Sequence, residues 1–190
     1  MKDINITFQR VTRENGDLFA WAYDLLDESF PPIERRSRQQ QLAELSHPDY
    51  RLEVAVADGH KVGVVGYFLT SEFVYFENFC TLPQLRNKGF GREILQALIA
   101  KYADRLFVLE AELPTTELTH RRVEFYKRNG LFVNVYDHIQ PHYRKGDADL
   151  HLIVMSYGRQ ITRDEYAKFK QYLDENVEVK QEKYWYTFTL

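Results

Sequence analysis

The run Arg86-Asn87-Lys88-Gly89-Phe90-Gly91 sets two glycines and two cations where a strand pattern gives way to a helix pattern. A helix N-terminus presents unpaired backbone N–H groups and the positive end of the helix dipole. Gly89 and Gly91 remove the side chains that would hold an anion away from that backbone, and Arg86 and Lys88 add charge at its rim. The chemistry this supports is capture of a pyrophosphate. The spacing is neither the Gly-x-Gly-x-x-Gly of a dinucleotide-binding turn nor a Walker A loop. A strand-to-helix turn that binds nothing stays open beside it.

Other residues invite proton transfer. Glu77 lies among Phe73, Val74, Tyr75, Phe76 and Phe79. A carboxylate among apolar rings holds a proton more readily than one in water. A glutamate facing solvent or paired with an arginine is the alternative. Glu110 and Glu112 share parity on a later strand pattern and so point to one face, where they either line a pocket or are solvated. Cys80 is the lone cysteine, and no histidine is placed to activate it, so it reads as a small buried residue. His138 and His142 are four apart, but Pro141 breaks any helix between them and no third ligand is evident, so no metal is expected. Arg35, Arg36 and Arg38 read as the wet face of a helix.

The elements that must position these residues follow from periodicity. Ile4, Ile6 and Phe8 alternate as a strand. Asn15-Gly16-Asp17 opens a helix with Leu18, Trp21, Ala22, Leu25 and Leu26 on one face, stopped by Pro31-Pro32. A second helix is predicted over 34–45. Strands follow over 51–57, 61–69 and 73–82, the first two joined at Asp58-Gly59. Ile94, Leu95, Leu98, Ile99 and Tyr102 mark a helix, 106–113 a strand, and 117–129 a helix stopped by Gly130. Strands over 131–136 and 150–157 come next. Thr162 and Glu165 form a capping-box pattern ahead of a helix to about Asn176, and Tyr184-Trp185-Tyr186-Thr187-Phe188 reads as a last strand. The order β-α-α-β-β-β-α-β-α-β-β is α+β or α/β with a mixed sheet. It implies one domain over 1–158 with a C-terminal extension over 159–190.

Composition narrows the partners. The 190 residues suit one domain, and 44% hydrophobic residues supply an ample core. With 25 basic against 28 acidic residues, there is no basic excess to suit nucleic acid. No stretch approaches the length of a membrane span and the N-terminus lacks a signal-peptide pattern, so a cytoplasmic protein is expected.

The sequence resembles the GNAT acetyltransferases. Their Arg/Gln-x-x-Gly-x-Gly/Ala follows the fourth strand, as Arg86–Gly91 does here, after Cys80-Thr81-Leu82-Pro83. Phe125-Tyr126 ahead of Gly130-Leu131-Phe132 is similar to the family's Phe-Tyr-x-x-x-Gly-Phe signature, with Leu131 intruding, and Ser29-Phe30-Pro31 ahead of Glu34-Arg35-Arg36 is familiar from many members. The element order matches up to about Tyr157. The resemblance implies a mixed, mostly antiparallel central sheet with flanking helices in three layers. It implies acetyl-CoA as co-substrate, with the backbone of Phe79, Cys80 and Thr81 beside the pantetheine arm. Arg86, Asn87, Lys88, Gly89, Phe90 and Gly91 would hold the pyrophosphate. It implies Tyr126 as general acid, Glu77 as base, and Glu110, Glu112 and Tyr143 about the acceptor, with 137–143 folding over it as a loop. The acceptor expected is a small cationic amine, with a protein acceptor or a binding module without turnover as alternatives. The extension is expected to pack on the same domain or at a homodimer interface.

Overall fold

The structure, a computed structural model, describes residues 4–140 and 149–178. Tyr143, His142 and the strand expected over 184–188 lie outside them. Among the described residues, seven strands, mostly antiparallel, and five α-helices fall into two compact units that divide after Leu109.

In the first unit the strands β1 (Ile6–Arg10), β2 (Tyr50–Ala57), β3 (His60–Leu69), β4 (Phe73–Thr81) and the start of β5 (Leu106–Glu112) lie side by side in chain order. The pairs are antiparallel except β4 with β5, which is parallel. Helix α1 (Gly16–Ser29) packs on β3 and β4, as does α3 (Phe90–Lys101). Alternation along a strand assigns their faces. The Cys80 thiol, opposite Val64, lies 4.0 Å from the Leu25 carbonyl of α1. A Cβ on the neighbouring Gly63 would instead stand 3.1 Å from Ile94 of α3. The helices therefore cover opposite faces, which is why β3 is buried without interruption from Val62 to Phe68.

Helix α2 (Arg38–Glu44) is shorter than the helix predicted over 34–45. Pro32–Glu34 forms a 3-10 turn, Arg35 is extended, and the helix starts at a capping box. There Ser37 Oγ accepts from the Gln40 N–H at 3.3 Å and the Gln40 side chain accepts from the Ser37 N–H at 2.8 Å.

In the second unit, α4 (Glu117–Arg128) is capped by Thr116 and followed by Gly130 at φ +88°. A Cβ there would meet the Tyr157 ring at 2.9 Å, so both the turn and the packing call for glycine. Strand β6 (Leu131–Gln140) pairs antiparallel with β7 (Leu150–Tyr157). It runs four residues further than expected, so Asp137–Gln140 are strand and not the start of a loop. The register shift between Asn134 and His138 leaves Val135, 90% exposed, and its two successors out of the ladder. Helix α5 (Arg163–Tyr172) begins at the predicted Thr162–Glu165 capping box and continues as a π-turn over Leu173–Glu178. Phe169, Leu173 and Val177, spaced by four, are its buried stripe.

Candidate active site

Strand β4 carries an extra residue. Gly66 pairs with Asn78 and Tyr67 with Phe76, so Glu77 is the bulge. A bulge inverts the alternation. Tyr75 stacks on Phe68 on the α1 face, and Cys80 reaches α1 on that same face despite the odd spacing between them. Phe76 and Phe79 meet on the other face, 5.3 Å between centroids. The bulge thus brings both Glu77 and Asn78 to the α1 face.

There Glu77 meets a cation. Arg36 Nη1 donates to Glu77 Oε2 at 2.6 Å, and Arg36 Nε stands 3.6 Å from Glu44 Oε2. All three side chains are at most 4% exposed. The Arg36 guanidinium lies over Tyr50 and Phe68, 5.6 and 5.9 Å from their centroids. Burial, then the Glu77 charge, raises the Tyr50 phenol above its ordinary range. Its oxygen would stand 2.8 Å from a Cβ on Gly66, which makes glycine necessary at that approach. The surroundings of Glu77 are therefore not aromatic alone, and the expectation of a wet Arg36 is corrected. Arg35 is also engaged, donating to the Phe30 carbonyl at 3.1 Å and to Tyr23 Oη at 2.8 Å; Arg38 alone of the three is exposed, beside Asp24. Arg36 is the residue the sequence reading missed. Three arginines in four positions look like a solvated face, and only the short α2 and the bulge turn one inward.

Truncating one member of a buried ion pair leaves the other charge without compensation. Arg36→Met should lower the unfolding free energy by about 3–5 kcal/mol, read by urea denaturation. A loss under about 1 kcal/mol, the range of an exposed pair, would contradict the burial of this group.

The end of β4 and the loop after it form the second part of the site. Pairing with β5 runs from Phe73–Leu106 to Phe76–Leu109, and Phe79, Cys80 and Thr81 lie beyond its last register pair. Their opposite edge is held by β3. A 3-10 turn over Pro83–Leu85 leads into Arg86–Gly89, all four exposed. Asn87 and Gly89 take positive φ, +61° and +90°. Gly89 is the N-cap of α3 and has no side chain to cap it. Its carbonyl accepts the first α-helical bond, from the Glu93 N–H at 3.2 Å. The N–H groups of Phe90, Gly91 and Arg92 precede that bond and point out of the helix end. A Cβ on Gly89 would find nothing within 4 Å. An open helix end flanked by cations has the geometry and charge suited to an anion.

Cys80 is buried, and burial pushes its thiol up to about 12. It stays a neutral thiol near pH 7, unsuited to nucleophilic attack.

In the second unit, Tyr126 is half-buried against Phe125 at 5.4 Å, and burial pushes its phenol up to about 12, with Arg122 acting weakly the other way. Arg122 holds Glu112 in a half-exposed ion pair. Glu110, its side chain 6% exposed, pairs with His138 Nε2, and the His138 side chain is fully buried. His138 Nδ1 lies 3.1 Å from Tyr166 Oη of α5. Glu110 and Glu112 are thus both engaged by protein groups and not simply solvated. His138, read in the sequence as half of a metal pair and as part of a loop over the acceptor, joins β5 to α5. Among the described residues no group of three or more His, Cys, Asp or Glu side chains could hold a metal ion. Among the same residues no helix is long and apolar enough to cross a membrane.

A strand whose last residues lie beyond its parallel partner's register leads through a left-handed glycine into an uncapped helix of a mixed α/β fold. Residues 18–131 match the acetyltransferase (GNAT) family, and the chain belongs to that family. A structure from Bacteroides thetaiotaomicron assigned to the same family is similar at 31% identity and TM-score 0.85, over 90% of this chain and 98% of that one. The ribosomal-protein-S18-alanine N-acetyltransferase of Escherichia coli shares the fold at 16% identity and TM-score 0.59, over 83% of this chain and 96% of its own. A GNAT family acetyltransferase from Elizabethkingia anophelis, solved with acetyl-CoA bound, shares it at 16% identity and TM-score 0.54, over 80% and 97%. No curated protein matches the sequence.

Proposed function

We propose that this protein transfers the acetyl group of acetyl-CoA to a small cationic primary amine by direct attack in a ternary complex. The observation that carries this is the exposed, cationic N-terminus of α3 behind a left-handed Gly89, a seat for the pyrophosphate. The edge of β4 at Phe79, Cys80 and Thr81 offers backbone groups to the pantetheine amides. It also offers an N–H that can stabilise the oxyanion of the tetrahedral intermediate. The relative from Elizabethkingia anophelis, solved with acetyl-CoA, supports the choice of co-substrate. The neutral Cys80 thiol argues for direct attack over an acetyl-cysteine intermediate.

The reaction moves two protons. The ammonium gives one to a base, and the free amine attacks the thioester carbon. The C–S bond then breaks, Tyr126 protonates the departing sulfur, and the phenolate recovers the second proton from the new amide nitrogen. Glu77 and Glu112 are held by guanidinium groups of fixed charge, whereas Glu110 is held by an imidazole. Glu110 is therefore the preferred base, with Glu77 second. Carboxylates at the acceptor favour an ammonium-bearing substrate.

The test is thiol release from acetyl-CoA with polyamines, amino acids, aminoglycosides and lysine peptides, with products identified by mass spectrometry. At least one small cationic amine should give a monoacetylated product with the highest specificity constant. A peptide better than every small amine by about tenfold, roughly 1.4 kcal/mol in transition-state binding, would overturn the acceptor class. Binding of acetyl-CoA without turnover of any amine would overturn the catalytic assignment.

A further inference from the structure

A hydrogen-bonded chain of three side chains crosses the second unit: Glu110 of β5, His138 of β6 and Tyr166 of α5. Tyr166 is half-exposed, the His138 side chain is fully buried, and the Glu110 side chain is 6% exposed. Two rings neighbour the imidazole, Phe169 stacked at 6.1 Å and Tyr166 edge-on at 5.9 Å. Tyr166 is itself fixed by stacking on Tyr136, 4.0 Å between centroids and 5° between planes. Tyr136 in turn donates to the Ile161 carbonyl at 2.9 Å. The ring can neither flip nor slide without breaking these contacts.

A neutral imidazole has one donor and one acceptor nitrogen. Nε2 faces a carboxylate, and a lone pair there would be repelled by it. Nδ1 faces a phenol, whose pKa burial raises further, so the O–H stays intact and available to donate. The consistent arrangement is Tyr166 O–H to Nδ1 and Nε2–H to Glu110. The Asp137 carbonyl, 3.3 Å from Tyr166 Oη, is the longer alternative acceptor for that hydroxyl.

We infer that His138 and Tyr166 are positioning residues for acetyl transfer: Tyr166 locks the Nε2–H tautomer of His138, and that N–H fixes the orientation of the Glu110 carboxylate. The inference rests on Glu110 being the base proposed above. It gives the segment after Gly158 a part in the chemistry, because the lock is supplied by α5. Holding a reacting group in a productive geometry is worth large factors in rate, and a misplacement of about 1 Å can cost about 10²-fold.

Two arms test this independently. The first needs no substrate: in protein labelled with ¹⁵N-histidine, the His138 ring should show the neutral Nε2–H tautomer, and Tyr166→Phe should convert it to a mixture. A proton on Nδ1 in the native protein, whether as the other tautomer or as an imidazolium, or a ring indifferent to Tyr166→Phe, overturns the inference whatever the enzyme acetylates. The second arm uses the fastest amine of the panel with saturating acetyl-CoA. His138→Leu should lower kcat about 10²-fold with little change in KM, while His138→Gln, which keeps an N–H toward Glu110, should recover most of it at the same melting temperature as His138→Leu. Equal losses in the two variants would mark His138 as a packing residue and overturn the inference. Absence of turnover in the native protein would instead reject the proposed reaction, with the tautomer arm still deciding the lock.

Discussion

Replacing Tyr126 by phenylalanine should lower turnover by about 10² to 10⁴-fold, the usual worth of a positioned general acid, and leave the affinity for acetyl-CoA unchanged. The phenol is pushed up to about 12 by burial, so it carries its proton throughout the physiological range and has one to give. Phenylalanine keeps the ring and its edge contact with Phe125, so the fold should be preserved. The departing sulfur would leave as an unprotonated thiolate, and the loss should appear in kcat. Single-turnover measurements separate chemistry from product release. An unchanged chemical step in the variant would remove Tyr126 from the mechanism.

Most of the fold was legible because its elements are periodic and well punctuated. The apolar stripe of α1, the Asp58-Gly59 turn, the glycine after α4 and the Thr162–Glu165 capping box each state a local rule the structure obeys. The start of α3 behind Gly89 was legible for the same reason, since a glycine at a helix start is a local signal. What escaped depends on register. Glu77 and Arg36 are joined because one extra residue in β4 turns Glu77 toward α1, and no residue type announces that bulge. His138 escaped because β6 continues past a register shift at 135–137 as far as Gln140, whereas the sequence alone suggested a loop from Asp137. Its partners, Glu110 and Tyr166, are far from it along the chain, so no spacing rule could assemble them.

Gly89→Val should weaken acetyl-CoA binding by about 10²-fold or more, about 2.7 kcal/mol, with a much smaller effect on the free protein. A non-glycine residue in the left-handed region costs about 1–2 kcal/mol, and a Cβ at Gly89 meets no other atom, so the variant should fold. The added isopropyl group fills the open space beside the first-turn N–H groups of α3, where phosphate oxygens must approach. Titration calorimetry of acetyl-CoA into the native protein and Gly89→Val is thus the most direct measurement of the proposed cofactor site. Saturable binding by the native protein and its near loss in the variant, which stays folded with a thermal stability lowered only by the backbone strain of about 1–2 kcal/mol, is the predicted result. Equal affinity in both proteins would show that the pyrophosphate is not held at Arg86–Gly91 and would contradict the assignment.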